Sequence, residues 1–168
     1  IVINMRKHLP VWADATTKAD LLKRFGYVFE TPAGSSYPPI LDMNEITGAF
    51  AITGAGGEID LTPFDVAHGG INALGFRIGD MAYLPDVSDI PDNAWHHLHN
   101  LKLWIVDALR YDPHFSHTHV EKTLGWIKLA KPEHSIITNM HVDLDYTTLQ
   151  SELPPGVEPA FDMMTKTI

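Results

Sequence analysis

Short apolar runs, each closed by a polar or glycine-rich break, set the pattern of this chain. Ser135-Ile136-Ile137-Thr138 is the clearest, a β-branched run that reads as a buried strand and ends in Asn139-Met140-His141-Val142-Asp143-Leu144-Asp145-Tyr146. Leu101 to Val106 is a second buried strand. Ile71 to Ile78, the turn Gly79-Asp80 and Met81 to Leu84 together predict a hairpin. Ile40 to Ile46 and Glu58 to Val66 read as strands parted by Gly54-Ala55-Gly56-Gly57, and Leu9 to Ala13 as a short one. Tyr27 to Phe29 and Val157 to Phe161 are further strand candidates. Helical spacing marks Lys18 to Phe25, with Leu21, Leu22 and Phe25 on one face, Thr16 or Thr17 as its cap and Gly26 as its stop. Val120 to Leu129 is amphipathic, Pro91 to Leu98 and Asp145 to Leu153 are helix-like, and Ile1 to Lys7 reads as the end of a helix. Thr31 to Pro39 is a loop of Pro, Gly and Ser, and Pro154-Pro155-Gly156 a turn. Strands come first and then alternate with helices, which predicts a mixed-sheet, layered α/β domain.

The polar ends of these strands carry the candidate chemistry. Val66-Ala67-His68-Gly69-Gly70 follows one strand, Tyr83-Leu84-Pro85-Asp86-Val87-Ser88-Asp89 another, and His141 a third. Taken singly, His68 and His141 read as loop histidines and Asp86 as a turn aspartate. Together, three strands that each end in a metal-ligand type suggest one polynuclear site at a sheet edge, where open α/β sheets place their ligands.

Composition narrows the choices. With 168 residues the chain is long enough for one domain and a real core, and its 45% hydrophobic and 20% charged content is ordinary for a globular protein. A formal charge of −9 disfavours long polyanions such as duplex nucleic acid, but not a small anion held by local cations. Without cysteine there are no disulfides, Fe–S clusters or thiolate zinc sites. A metal would therefore use histidine and carboxylate, which suits Zn, Mn or Fe. The lack of cysteine also fits a cytoplasmic location. No apolar run reaches the roughly 18 residues of a membrane span. The start, Ile1-Val2-Ile3-Asn4-Met5, has neither an initiator Met nor a signal-peptide pattern and reads as part of a longer protein.

Other motifs weigh less. Gly54 to Gly57 lacks the GK[ST] ending of a phosphate loop, and no helix pattern follows, so a plain hairpin turn is expected. His96-His97-Leu98-His99 has the look of a metal tract, but surface or packing roles are the expectation. Trp95, Trp104 and Trp126 are expected to pack in the core.

The segments Val66 to Gly69, Ala82 to Pro91 and Thr138 to Tyr146 resemble the metallo-β-lactamase superfamily. Within it, the chain is most similar to the phosphodiesterase branch that includes phosphoribosyl cyclic phosphate phosphodiesterase and, more distantly, tRNase Z. The resemblance implies an αββα sandwich with a dinuclear metal site between its sheets. It implies His68 as the ligand after the hairpin strand, Asp86 as the carboxylate that bridges both metals, and His141 as the last histidine ligand. Pro113-His114-Phe115-Ser116-His117 is similar to the family's PHPTH-like segment, which makes His117 a non-ligand that contacts the phosphate and acts as general acid. Ser116 or Thr118 could cap the helix that follows. His114 is then a substrate contact or a support for the site. Arg110 could bind phosphate through its fork of donors and Asp107 could orient a histidine, with an ion pair on the loop as the competing reading for both.

The family's HxHxDH motif does not occur in this chain. The resemblance therefore implies a single metallo-β-lactamase-like domain over 1–168, incomplete at its N-terminus, that supplies part of the ligand set. In the complete protein, two divalent ions (Zn or Mn) would make hydroxide available near neutral pH and neutralise a phosphoryl group. The expected activity is hydrolysis of a small or cyclic nucleotide-like phosphodiester, with neither nucleic acid nor membrane as partner. The alternative is a non-catalytic fragment whose exposed apolar surface drives homo-oligomer formation.

Overall fold

The computed structural model describes residues 2–5 and 7–168. Contacts divide the chain into two units, Ile1–Phe50 and Ala51–Ile168.

In the first unit, helix α1 (Val2–Met5) is the described part of the helix expected over Ile1 to Lys7; Ile1 and Arg6 lie outside the described residues. Strands β1 (Leu9–Ala13) and β2 (Leu41–Glu45) pair in parallel, Leu9 with Leu41 through Ala13 with Glu45. Helix α2 (Ala15–Phe25) connects them and is tied to β2 by Lys18 Nζ to Glu45 Oε2 at 2.8 Å. Its cap is Asp14, not Thr16 or Thr17. The Asp14 carboxylate accepts from both threonine N–H groups at 2.9 and 3.0 Å and from the Thr17 hydroxyl at 2.6 Å, so the threonines are donors to the cap. Gly26 keeps right-handed helical angles and leads into a 3₁₀ turn, Gly26–Val28, where a strand over Tyr27 to Phe29 was expected.

The second unit is built on a seven-stranded sheet in the order β3 (Phe50–Gly54), β4 (Gly57–His68), β5 (Ile71–Ile78), β6 (Met81–Leu84), β7 (Leu103–Asp107), β8 (His134–Thr138), β9 (Val157–Pro159). The Gly-rich piece is the turn between β3 and β4, as expected; β3 itself, with Phe50 and Ile52 part-buried, was not among the expected strands. Strand β5 runs antiparallel to both β4 and β6, whereas β6 through β9 are parallel. It follows that β4, β6, β7 and β8 all point the same way. The register Leu84–Val106 and Val106–Ile137 sets their C-terminal ends side by side.

Burial explains the pattern. The run Leu103-Trp104-Ile105-Val106-Asp107 is almost wholly buried, as a central parallel strand covered on both faces must be. Helix α3 (Val120–Ala130) brings Trp126 and Ala130 onto Phe64, Val66, Ala82, Leu84, Trp104 and Val106, with Ala94 and Leu98 of a 3₁₀ segment (Asp92–Leu98) in the same core. Gly75 lies opposite Phe64 in the β4–β5 register, where a Cβ would meet the ring at 2.7 Å. A second cluster joins Ile137 and Val120 to Leu149 of helix α4 (Tyr146–Glu152). The histidine tract has a packing role. His97 stacks on Phe64 at 4.7 Å, and Arg77 Nη1 donates to the carbonyls of His97 and His99 at 2.7 and 2.8 Å. Burial, together with the charges of His96 and Arg77, holds His97 below the usual histidine value.

Candidate active site

Each co-directional strand delivers one or more polar side chains to the same edge. His68 is the last residue of β4, and the β4–β5 turn that follows begins at Gly69 with φ +62°. A Cβ on Gly69 would stand 2.8 Å from Phe115 Cε1 and 2.9 Å from Ser116 Cβ, so glycine lets the histidine-bearing loop lie against this turn. Gly69 N donates to Ser88 Oγ at 3.0 Å, while Ser88 N donates to Ala67 O at 2.7 Å and Ala67 N to Asp89 O at 3.0 Å. These bonds clamp the segment after Asp86 onto the end of β4. Ser88 is thus a support that sequence alone did not single out.

Asp86 follows Pro85 at the end of β6, and its side chain is 53% exposed. Asp107 ends β7 and is completely buried. Its Oδ2 lies 2.7 Å from His117 Nδ1 and accepts from Val87 N at 3.3 Å, while Oδ1 has no partner. Burial pushes the Asp107 carboxyl up to about 6, against the hydrogen bonds and charge of His117 and the Val87 amide, with Asp86 adding to the rise. Asp107 therefore pairs with His117, not with Arg110 as the ion-pair reading had it.

The loop after β7 is fixed at many points. Thr118 N donates to Val87 O at 2.6 Å, Leu109 N to Thr118 O at 3.1 Å, and Thr123 Oγ1 to Asp107 O at 2.8 Å. Thr118 is buried and its hydroxyl lies 3.2 Å from that of Thr123, which accepts from it because the single Thr123 hydroxyl proton goes to Asp107 O. Neither Thr118 nor Ser116 therefore caps α3; the capping position is His119, without a side-chain bond. Arg110 donates to the carbonyls of Asp112 and Pro113 at 3.2 and 2.9 Å and so holds the loop that presents His114. His114 Nδ1 accepts from Ser116 N at 3.3 Å, which leaves the proton of the neutral ring on Nε2. Loss of hydration, and the charges of Arg110, His117, His141 and His68, hold His114 below the usual histidine value.

His68, Asp86 and His117 come together: one ligand atom from each lies within 4.8 Å of the others. The rings of His68 and His117 meet edge-on at 4.7 Å, and His117 Nδ1 is 4.0 Å from Asp86 Oδ1. Among the described residues this is the only cluster with metal-ligand spacing. His141 stands outside it, beyond the end of β8, with its backbone N bonded to Leu109 O at 2.8 Å and Nδ1 2.9 Å from Asp143 Oδ2. Asn139, another residue that sequence did not single out, reaches the cluster from the same strand end.

The donor set fits a divalent ion. The His68 imidazole and the Asp86 carboxylate are ligand types suited to Zn or Mn, with His117 beside them at the same edge. His68 Nδ1 is buried without a hydrogen-bond partner, and the half-exposed Asp86 carboxylate meets Asn139 Nδ2 at 3.5 Å.

A mixed sheet whose parallel strand ends gather histidines and carboxylates defines a metallo-β-lactamase type of fold. The chain belongs to the beta-lactamase superfamily domain family, whose model matches residues 2–140. It is 28% identical to a diphosphatase of the PhnP family and superposes on it with a TM-score of 0.79, over 92% of this chain and 56% of that one. Zinc-bound PqqB from Methylobacterium extorquens shares the fold at 12% identity and a TM-score of 0.71, over 99% of this chain and 68% of that one. The short form of human tRNase Z does so at 14% and 0.60, over 94% and 67%. An octanoyltransferase from Porphyromonas gingivalis is 29% identical over 161 residues, which are 93% of this chain and 32% of that protein. The chain thus spans about a third of the octanoyltransferase and just over half of the diphosphatase.

Proposed function

We propose that this domain is part of a metal-dependent hydrolase that cleaves a phosphodiester, small or cyclic and nucleotide-like. The observation that carries the reading is the convergence of His68, Asp86 and His117 at one sheet edge, with Asp107 behind His117. In this reading His68, Asp86 and His141 would hold divalent ions together with further ligands. Such ions, held there, would supply charge neutralisation at phosphoryl oxygens and a lowered pKa for bound water.

The remaining steps belong to side chains. His117 has Nδ1 turned to Asp107, so only Nε2 is free to meet the substrate. A buried carboxylate at Nδ1 stabilises the imidazolium and fixes its direction, which suits proton donation from Nε2 to the leaving oxygen. His114, with Nε2–H available, donates to a phosphoryl oxygen. Arg110 shapes the loop between them and adds positive charge beside it. The likeness to a PhnP-family diphosphatase supports phosphoryl chemistry.

The test is metal analysis together with a substrate panel of bis-p-nitrophenyl phosphate, a cyclic phosphate and a β-lactam. Phosphodiester turnover that needs metal and falls in His117→Ala is the expected result. Metal loading without phosphodiester turnover would sink the substrate class, and unchanged activity in His117→Ala would sink the acid role. A second reading, a non-catalytic and oligomer-forming fragment, is favoured by the small size of the cluster and by the absence of HxHxDH from the chain. A stable, metal-free oligomer in sedimentation supports it; stoichiometric loading with two ions contradicts it.

A further inference from the structure

Asn139 is held at φ +60°, a left-handed conformation that costs non-glycine residues energy and is tolerated best by Asn and Asp. Backbone bonds on either side keep it there: Ala108 N donates to Thr138 O at 3.2 Å and His141 N to Leu109 O at 2.8 Å. The turn aims its side chain across the sheet edge. Nδ2 lies 3.2 Å from Pro85 O, 3.5 Å from Asp86 Oδ1 and 3.3 Å from His117 Nδ1.

The hydrogen-bond count decides which contacts are bonds. His117 Nδ1 has one bonding position, and Asp107 Oδ2 occupies it at 2.7 Å. The Asn139 amide therefore rests against the ring without bonding to it. Its two N–H groups face acceptors only, the Pro85 carbonyl and the Asp86 carboxylate, and this fixes the orientation of the amide. Strands β6 and β8 are separated by β7, so this amide reaches across the end of β7 to the Pro85 carbonyl. One strained residue just past β8 thus grips the residue that presents Asp86 and braces the ring that faces it. A strained position at a functional edge points to a role.

We infer that Asn139 is a positioning residue: its side-chain amide latches the end of β6 to the end of β8 and sets the direction of the Asp86 carboxylate relative to His117. The inference rests on the proposed metal-dependent function for its purpose, although the latch itself does not.

Two variants separate side chain from backbone. Asn139→Gly keeps the left-handed turn and removes the amide; Asn139→Asp tolerates the turn but cannot donate. The first measurement is the Asp86 Hα–Hβ coupling by NMR in the metal-free 168-residue chain. One fixed rotamer is expected in the parent and averaged couplings in both variants. Asp86 couplings that stay the same in the variants overturn the latch. The second measurement is Mn2+ affinity by water-proton relaxation, which is expected to fall about tenfold or more in each variant. Equal Mn2+ affinity in parent and variants overturns the positioning role. A parent that takes up no Mn2+ counts against the hydrolase reading, and the Asp86 couplings then decide the latch by themselves.

Discussion

Asp107 is a carboxyl that the fold holds in an uncomfortable state, and its effect has a definite sign. Its folded value is raised to about 6 from the ordinary 3.8, so the folded state binds its proton more tightly than the unfolded chain does. That contribution is fully present below the ordinary carboxylate value and is lost as pH rises through about 6. In the metal-free chain, urea unfolding is expected to show stability falling over that window. Asp107→Asn, which cannot ionise, should flatten the slope. The same substitution replaces the acceptor at His117 Nδ1. It is expected to move the ring proton to Nε2 in 15N spectra and to lower phosphodiester turnover about a hundredfold or more. Gly69 sits on the other side of the cluster. Gly69→Ala puts a Cβ into Phe115 and Ser116 at a positive φ, and a loss of about 1–3 kcal/mol is expected in chemical denaturation.

The strands of the second unit show what a sequence can and cannot announce. The runs around Ile71–Ile78, Leu103–Asp107 and His134–Thr138 were legible because burial on one or both faces forces apolar residues at fixed spacing. With them came His68, Asp86 and the Asp107–His117 loop, since polar residues that end a buried strand stand out. Less was visible where tertiary contacts override local signals. Tyr27 reads as strand by propensity, but the chain continues from α2 into a 3₁₀ turn. Thr118 looks like a cap until its hydroxyl is found buried against Thr123. Asn139 carries no pattern at all, because its importance lies in contacts with residues 53 and 54 positions away. The cap of α2 gives a test at this scale. Asp14→Ala is expected to cost about 1 kcal/mol, as N-cap removal usually does. The bond from the Thr17 hydroxyl, with those from the Thr17 and Thr16 amides, holds the Asp14 carboxyl below its usual value against the opposing effect of burial. Its contribution is therefore present above the ordinary carboxylate range and lost as pH falls through the lowered value, opposite in sign to Asp107. Thermal melts of parent and variant at neutral and strongly acid pH should differ and then converge.

For the whole molecule, family membership fixes a frame within which a metal ion would act as a structural ligand as well as a reagent. Binding to the folded state alone stabilises by about 2.7 kcal/mol at a hundred times the dissociation constant. Thermal melts with Mn2+ or Zn2+ against a chelator are expected to show a rise in Tm that Asp86→Ala abolishes. No helix among the described residues is long and apolar enough to cross a membrane. The strand order of the large sheet equals the order of the chain, β3 to β9 without a permutation. A polypeptide leaving the ribosome can therefore extend this sheet at one growing edge, each new strand finding its neighbour already in place. His68, Asp86 and His117 emerge in that order, and the grip of Asn139 comes only with β8. Until that strand docks, Asp107 can already hold His117 and the β4 end can already hold the segment after Asp86, but the Asn139 contact to Asp86 is missing. A nascent chain thus completes the cluster's polar contacts only when most of its sheet is made.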